Sequence, residues 1–247
     1  MANLKEIRNR ISSVSSTMQI TSAMKMVSAA KLKKAQDAIT AMRPYADKLT
    51  ELLQSLSATL DAGSGSKFST ERDVNNVLIV TITSNRGLCG AFNSNIIKQT
   101  QHLISDKYSG KKVSVLAIGK KGNDSFSKMN IVVGNHSEIY DNLTFDNVAE
   151  IAEKLMEMFV EGDYDKIEIV YNKFKNAATQ FPTVETLLPV EPNGEPTDQS
   201  SNNDYIFEPD KTTILEELIP RSIKTQLYKA ILDSVASEHG SRMVAMD

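Results

Sequence analysis

Cysteine is almost missing from these 247 residues. Cys89 stands alone, so no internal disulfide can form, and such usage fits a reducing compartment. The three histidines, His102, His136 and His239, lie far apart without paired ligand spacing. With a single cysteine they cannot build a zinc site of normal spacing. No apolar run approaches the roughly 20 residues that span a bilayer, and the opening MANLKEIRNR has neither a signal core nor the Ser/Arg-rich look of an organellar presequence. There is no G-x-x-x-x-G-K-S/T string and no G-x-G-x-x-G after a strand, so the usual nucleotide fingerprints are absent. Arg86-Gly87-Leu88-Cys89-Gly90 does follow a strand, but two glycines three apart predict a tight turn more simply than an anion cradle. Cys89 has no histidine beside it and reads as a small buried hydrophobe. Asp163-Tyr164-Asp165 falls between a helix and a strand, where a capping turn is expected. Catalytic, cofactor-binding and metal-ligating residues are all expected to be none.

What the chain has instead is a heptad frame running from Leu4 to Leu60 without a register shift. Its a and d positions include Leu4, Ile7, Ile11, Val14, Met18, Leu32, Ala35, Ile39, Leu49, Leu53 and Leu60. A 3.5-residue apolar period imposes a left-handed coiled coil. At 1.5 Å per residue the segment is a rod of roughly 85 Å. Only Thr21, Lys25 and Ser28 break the seam, consecutively, where Ile20, Met24, Met26 and Val27 supply apolar character on other sides. Such a helix suits surroundings of protein on several faces. Pro44 predicts a kink or break near residue 43, with the unbroken heptad phase favouring a bend. Asp61 to Ser66 predicts the end of the helix and a linker.

Charge is unevenly spread. Residues 1–48 hold nine Lys/Arg against three Asp/Glu, whereas residues 49–207 hold fourteen against twenty-one. A basic rod beside an acidic globule suits acidic protein partners. Nucleic acid is disfavoured, because residues 1–44 lack aromatics to stack bases and the globule is negative.

From Val74 the texture changes. Continuous β-branched or apolar runs predict strands at 77–83, 113–118, 131–133, 167–171 and 183–190, with helices over 91–107, 120–128 and 145–161. That alternation predicts an α/β layer with a mostly parallel sheet. Glu191–Asp204 has loop composition. A last helix is expected from about Ile214, with Ile219, Ile223, Leu227, Ile231 and Val235 on one face, Pro220 marking a bend or the first turn, and the pattern still running at Asp247. The fold class is therefore α/β: an antiparallel coiled coil of N- and C-terminal helices with an inserted Rossmann-like domain. The expected units are 1–60, 74–208 and 211–247, the last looking interrupted.

Ile20-Thr21-Ser22-Ala23-Met24-Lys25-Met26-Val27, Arg43-Pro44-Tyr45, Ser84-Asn85-Arg86-Gly87-Leu88-Cys89-Gly90 and Ser241-Arg242-Met243-Val244-Ala245-Met246 stand in order and, with the helix–globule–helix plan, resemble the gamma subunits of the rotary ATP synthases. The resemblance covers essentially the whole chain. It implies a central shaft turning inside a ring of alpha and beta subunits, attached with the epsilon subunit to a c ring, and doing no bond chemistry itself. It implies that Met24, Lys25, Arg86 and Arg242 meet an acidic lever of the beta subunit, and that Tyr205 and Glu208 meet the c ring. It also implies a single copy per complex, no nucleic-acid partner, no cofactor, and a peripheral position on the cytoplasmic face of a bacterial inner membrane. In that family the C-terminal helix runs a few dozen residues further, so this sequence reads as a fragment or truncated form; the chloroplast dithiol insert is absent. The competing expectation is a homodimeric coiled-coil scaffold with an α/β interaction module.

Overall fold

The computed structural model describes residues 3–57, 67–70, 72–190 and 211–247. The first helix, α1, spans Leu4–Ser57. It can be this long because no glycine precedes Gly63 and the one proline, Pro44, does not stop it. The helix is continuous through Pro44, as the unbroken heptad phase suggested, so the chain does not terminate a helix near residue 43. The end of the heptad frame, 58–60, lies outside the described residues.

The last helix, α5, spans Lys211–Ala245, beginning three residues before the expected Ile214. Pro220 sits well inside it and marks no first turn. Lys25 meets Asp247, while Leu32 and Ala35 cluster with Ala236, so α1 and α5 run antiparallel. Small residues make the contact close: Ser28, Ala35 and Ala236 are all buried. The polar gap in the α1 seam thus lies against the end of α5. Before it, Leu4, Ile7, Ile11, Val14 and Met18 are exposed, from 44% to 73%.

Between the rods lies a five-stranded sheet: β1 (Asn76–Ile82), β2 (Lys112–Ile118), β3 (Val132–Asn135), β4 (Lys166–Phe174) and β5 (Gln180–Leu188). Their order is β3-β2-β1-β4-β5, all parallel except β5, which returns antiparallel to β4. A short turn at Asn176–Thr179 joins β4 to β5 and dictates that direction, since a parallel return needs a long crossover. β1 sits at the centre and is buried from Val77 to Ile82, as a strand covered on both faces must be.

One face carries Val77, Ile79 and Val170 beneath Ile96 and Leu103, from α2 (Phe92–His102) and the π-turn that continues it through Lys107. A short helix, α3 (Lys120–Phe126), follows β2. The other face carries Leu78, Val80, Ile82, Ile167, Ile169 and Tyr171, beneath α4 (Phe145–Glu161) and α5 together. Thr144 caps α4 by accepting from the Asn147 amide, and Gly162, at φ 85°, ends it in the left-handed region. Val148, Ile151, Leu155 and Phe159 point into the core, each contributing about 1.5–3 kcal/mol by burial.

The expected stripe on α5 is present: Ile219, Ile223, Leu227 and Ile231 are buried and Val235 nearly so. It does not face α1 alone. Those residues belong to the same core as the sheet and α4. α5 is at once half of the shaft and a layer of the α/β domain.

Candidate functional site

β1 delivers the chain to a tight loop, Ser84–Gly90, and side chains of that loop staple it from within. The Ser84 amide and hydroxyl donate to Asn93 Oδ1 at 2.9 and 3.1 Å, and the Asn85 amide group donates to the Ser137 carbonyl at 2.8 Å. The Lys120 backbone N–H in turn donates to Asn85 Oδ1 at 2.9 Å. Gly119 makes the close approach beneath possible. Its φ is 114°, and a Cβ there would lie 2.0 Å from the Thr83 carbonyl oxygen. The loop turns through two residues at positive φ, Gly90 at 57° and Leu88 at 60°. Leucine seldom adopts that conformation, because its Cβ crowds the following carbonyl. Leu88 is nonetheless 65% exposed, with Arg86 and Gly87 open to solvent beside it.

Cys89 points inward and is 1% exposed. Asn93 Nδ2 donates to its sulfur at 3.2 Å, and burial pushes the thiol above its ordinary range. A protonated, enclosed thiol is a poor nucleophile.

The end of α5 seats against this loop. Ser241 Oγ donates to the Cys89 carbonyl at 2.6 Å, and Arg242 donates to the carbonyls of Arg86 and Gly87 at 3.4 Å. Arg242 also pairs with Glu238 one turn earlier, at 2.6 Å. Burial raises the Glu238 carboxyl above its usual value, against the opposing pull of Arg242, Lys31 and Arg86. Burial, with Arg242 and Lys31, pushes His239 down to about 4. His239 is therefore neutral near pH 7. Because a guanidinium only donates, Nδ1 accepts from Arg242 Nη1 at 3.2 Å and the ring proton sits on Nε2.

The residues expected from sequence divide clearly. Arg86 is exposed at the loop tip. Lys25, on α1, is part-exposed and pairs with Asp247 at 2.5 Å; Met24 is half-buried. Ile20, Met26 and Val27 are more than half exposed on other sides of α1, giving the multi-sided apolar surface anticipated there. Arg242 is 6% exposed and turned inward, holding the loop from behind. Tyr205 and Glu208 lie outside the described residues. Sequence reasoning missed Glu238 and Ser241 as partners of the loop and Leu88 as its strained tip. The i, i+4 spacing of Glu238 and Arg242 was the available signal. Among the described residues no three His, Cys, Asp or Glu gather as a metal site, and no helix is long and apolar enough to cross a membrane.

A family model described as ATP synthase matches residues 3–247. The ATP synthase gamma chain of Flavobacterium johnsoniae is 66% identical over 246 residues, which cover 100% of this chain and 85% of that protein. This chain belongs to the ATP synthase gamma chains. The gamma chain of Flavobacterium psychrophilum is 65% identical over the same coverage. Among solved structures, a chain from the central stalk and c ring of the Tetrahymena thermophila mitochondrial ATP synthase superimposes with a TM-score of 0.66 at 26% identity. The match covers 92% of this chain and 97% of that one. A gamma chain is a subunit of the synthase and not its catalytic centre.

Proposed function

We propose that this chain is the central shaft of a rotary ATP synthase, coupling proton flow through a c ring to the conformations of catalytic sites in an alpha–beta ring. One observation carries the reading: α5 is shared between an antiparallel two-helix rod and the core of an α/β domain. A turning moment applied to the domain therefore reaches the rod through one unbroken helix. A rod of this kind does its work by contacting different states of its partners differently, which shifts their populations.

The partners are the alpha and beta subunits around the rod, and the epsilon subunit and c ring at the domain. Met24, Lys25 and Arg86 meet an acidic lever of a beta subunit, supported by the excess of Lys/Arg in residues 1–48. Arg242 serves that contact from behind the loop. Tyr205 and Glu208 belong to the c-ring contact. The complex lies on the cytoplasmic face of a bacterial inner membrane, with one copy of this chain per complex.

The test is to mix the chain with alpha and beta subunits from its own source and measure stoichiometry by gel filtration and steady ATPase rate. One copy per three beta subunits with raised multisite hydrolysis is expected. A stable homodimer that ignores alpha and beta would favour the scaffold reading and overturn this one.

A further inference from the structure

The two faces of the sheet are covered unequally. On the side of α4 and α5, twenty-three buried residues form one apolar core. On the side of α2 only six do: Val77, Ile79, Val170, Ile96, Leu103 and Tyr108. That thinner layer is also polar within. Thr81 follows Val77 and Ile79 at strand spacing, and Glu168 and Asn172 flank Val170 in the same way, so all three point to the α2 side. Thr100 follows Ile96 by one turn of α2, and Tyr108 ends the π-turn. Each of these five residues buries a side-chain oxygen that has no hydrogen-bond partner among the described residues; the sixth such oxygen, on Ser234, belongs to α5. An oxygen of this kind raises the free energy of the closed arrangement and recovers a bond to water once the helix above it lifts.

The two ends of α2 are held differently. At its start Phe92 is buried, its carbonyl accepts from Asn172 Nδ2 at 3.0 Å, and Asn93 Oδ1 accepts from the Ser84 amide at 2.9 Å. At its far end the helix widens, and the Tyr108 amide donates to the Leu103 carbonyl, five residues back, at 3.0 Å. The wider turn brings Lys107 over the sheet. Its Nζ donates to Glu168 Oε1 at 2.6 Å and stands 5.2 Å from the centre of the Tyr108 ring. Tyr108 Oη faces the same carboxylate without closing a hydrogen bond. Glu168 is 1% exposed, and Lys166 approaches the same oxygen only to 4.0 Å. A buried carboxylate is tolerated when paired and strongly destabilising when stranded. This one depends chiefly on a half-exposed cation that the π-turn delivers.

We propose that α2 and its π-turn form a lid that opens by itself, hinged at Phe92 and Asn93 and latched by Lys107 on Glu168. Opening lets water reach the unpartnered oxygens and leaves the other face of the sheet packed. Because α4 and α5 lie on that other face, the lid can move while the shaft and its supporting layer stay in place. The device belongs to the folded chain and does not depend on the partners assigned above.

The test is native-state amide hydrogen exchange of the free chain, read by mass spectrometry at urea concentrations below the unfolding transition, with α4 as the reference. Amides over 96–107 are expected to exchange about a hundredfold faster than those of α4 and with little dependence on urea, as a local opening does. Lys107→Met strands the Glu168 carboxylate and should speed exchange over 96–107 about tenfold or more, with α4 unchanged. Replacing both partners, Lys107→Met with Glu168→Leu, puts an apolar contact in place of the ion pair and should return exchange to the wild-type rate or below it. Equal protection and equal urea dependence of α2 and α4 in the unmodified chain would overturn the lid. Unchanged exchange over 96–107 in Lys107→Met, or an equal rise in both helices, would overturn the latch. Should Lys107→Met fail to fold, the double variant decides: rapid opening over 96–107 in it would overturn the latch as well.

Discussion

Replacing Asp233 by asparagine should stabilise the chain near pH 8 and leave it unchanged near pH 3.5. Asp233 lies on α5 and is 7% exposed where the shaft meets the sheet. Burial pushes its carboxyl from 3.8 up to about 6. Lys229, Lys173 and Arg43 oppose that rise, and Glu185 adds to it. Glu185 is itself fixed, accepting from the Tyr171 hydroxyl at 2.6 Å and from Gln226 at 3.4 Å. With a folded-state pKa above the unfolded one, the folded chain binds more protons between those two values. The associated stability is complete below about 3.8 and is lost as pH rises through about 6. A shift of about two pH units corresponds to about 3 kcal/mol at full burial, and to about 2 kcal/mol where the side chain's edge still meets solvent. Asparagine keeps the shape and carries no charge to desolvate. Urea unfolding followed by far-ultraviolet circular dichroism at pH 3.5, 6 and 8 measures the difference. The midpoint gain should grow with pH and level off above about 7. A gain of equal size at all three pH values, or a loss at pH 8, would refute the reasoning.

Charge reversal at Lys25 or Arg86 should slow turnover or uncouple it from proton pumping while the complex still assembles. The exposed Lys25–Asp247 pair contributes under about 1 kcal/mol, so the free chain should melt almost unchanged; unchanged ATPase and pumping in both variants would remove these residues from the contact. Gly119→Ala should destabilise by about 3 kcal/mol or more, since both its φ and the 2.0 Å approach to the Thr83 carbonyl forbid a Cβ, and a wild-type melting temperature would contradict that geometry. Thr144→Ala should cost about 1 kcal/mol by uncapping α4, and Thr144→Ser should recover most of it in thermal melts.

The elements themselves were largely legible in the sequence. The β-branched run of β1, the amphipathic face of α4 and the four-residue stripe of α5 all report burial on a known period, and each lies where it was expected. What covers a buried face is another matter. A stripe on α5 satisfied by α1 and a stripe satisfied by a sheet look alike in sequence, and so the sharing of α5 was not foreseen. The partners of Arg242 were not legible in the sequence; only the folded chain brings Glu238, His239 and the loop carbonyls around it. The left-handed backbone of Leu88 was not foreseen, since the hydrogen bonds that hold its loop come from Ser84 and Asn93 nearby and also from Ser241 and Arg242, more than 150 residues later.

A helix that belongs to both rod and domain leaves no swivel between them. The two must keep a constant phase as they turn, like a clock hand cut from the same piece as its spindle. A bead or dye on the far rim of the sheet, for example at exposed Met129 just before β3, would then read the bearing of the rod with no lag of its own. Any angular slack seen in the assembled machine then arises elsewhere, in the partners that grip the rod.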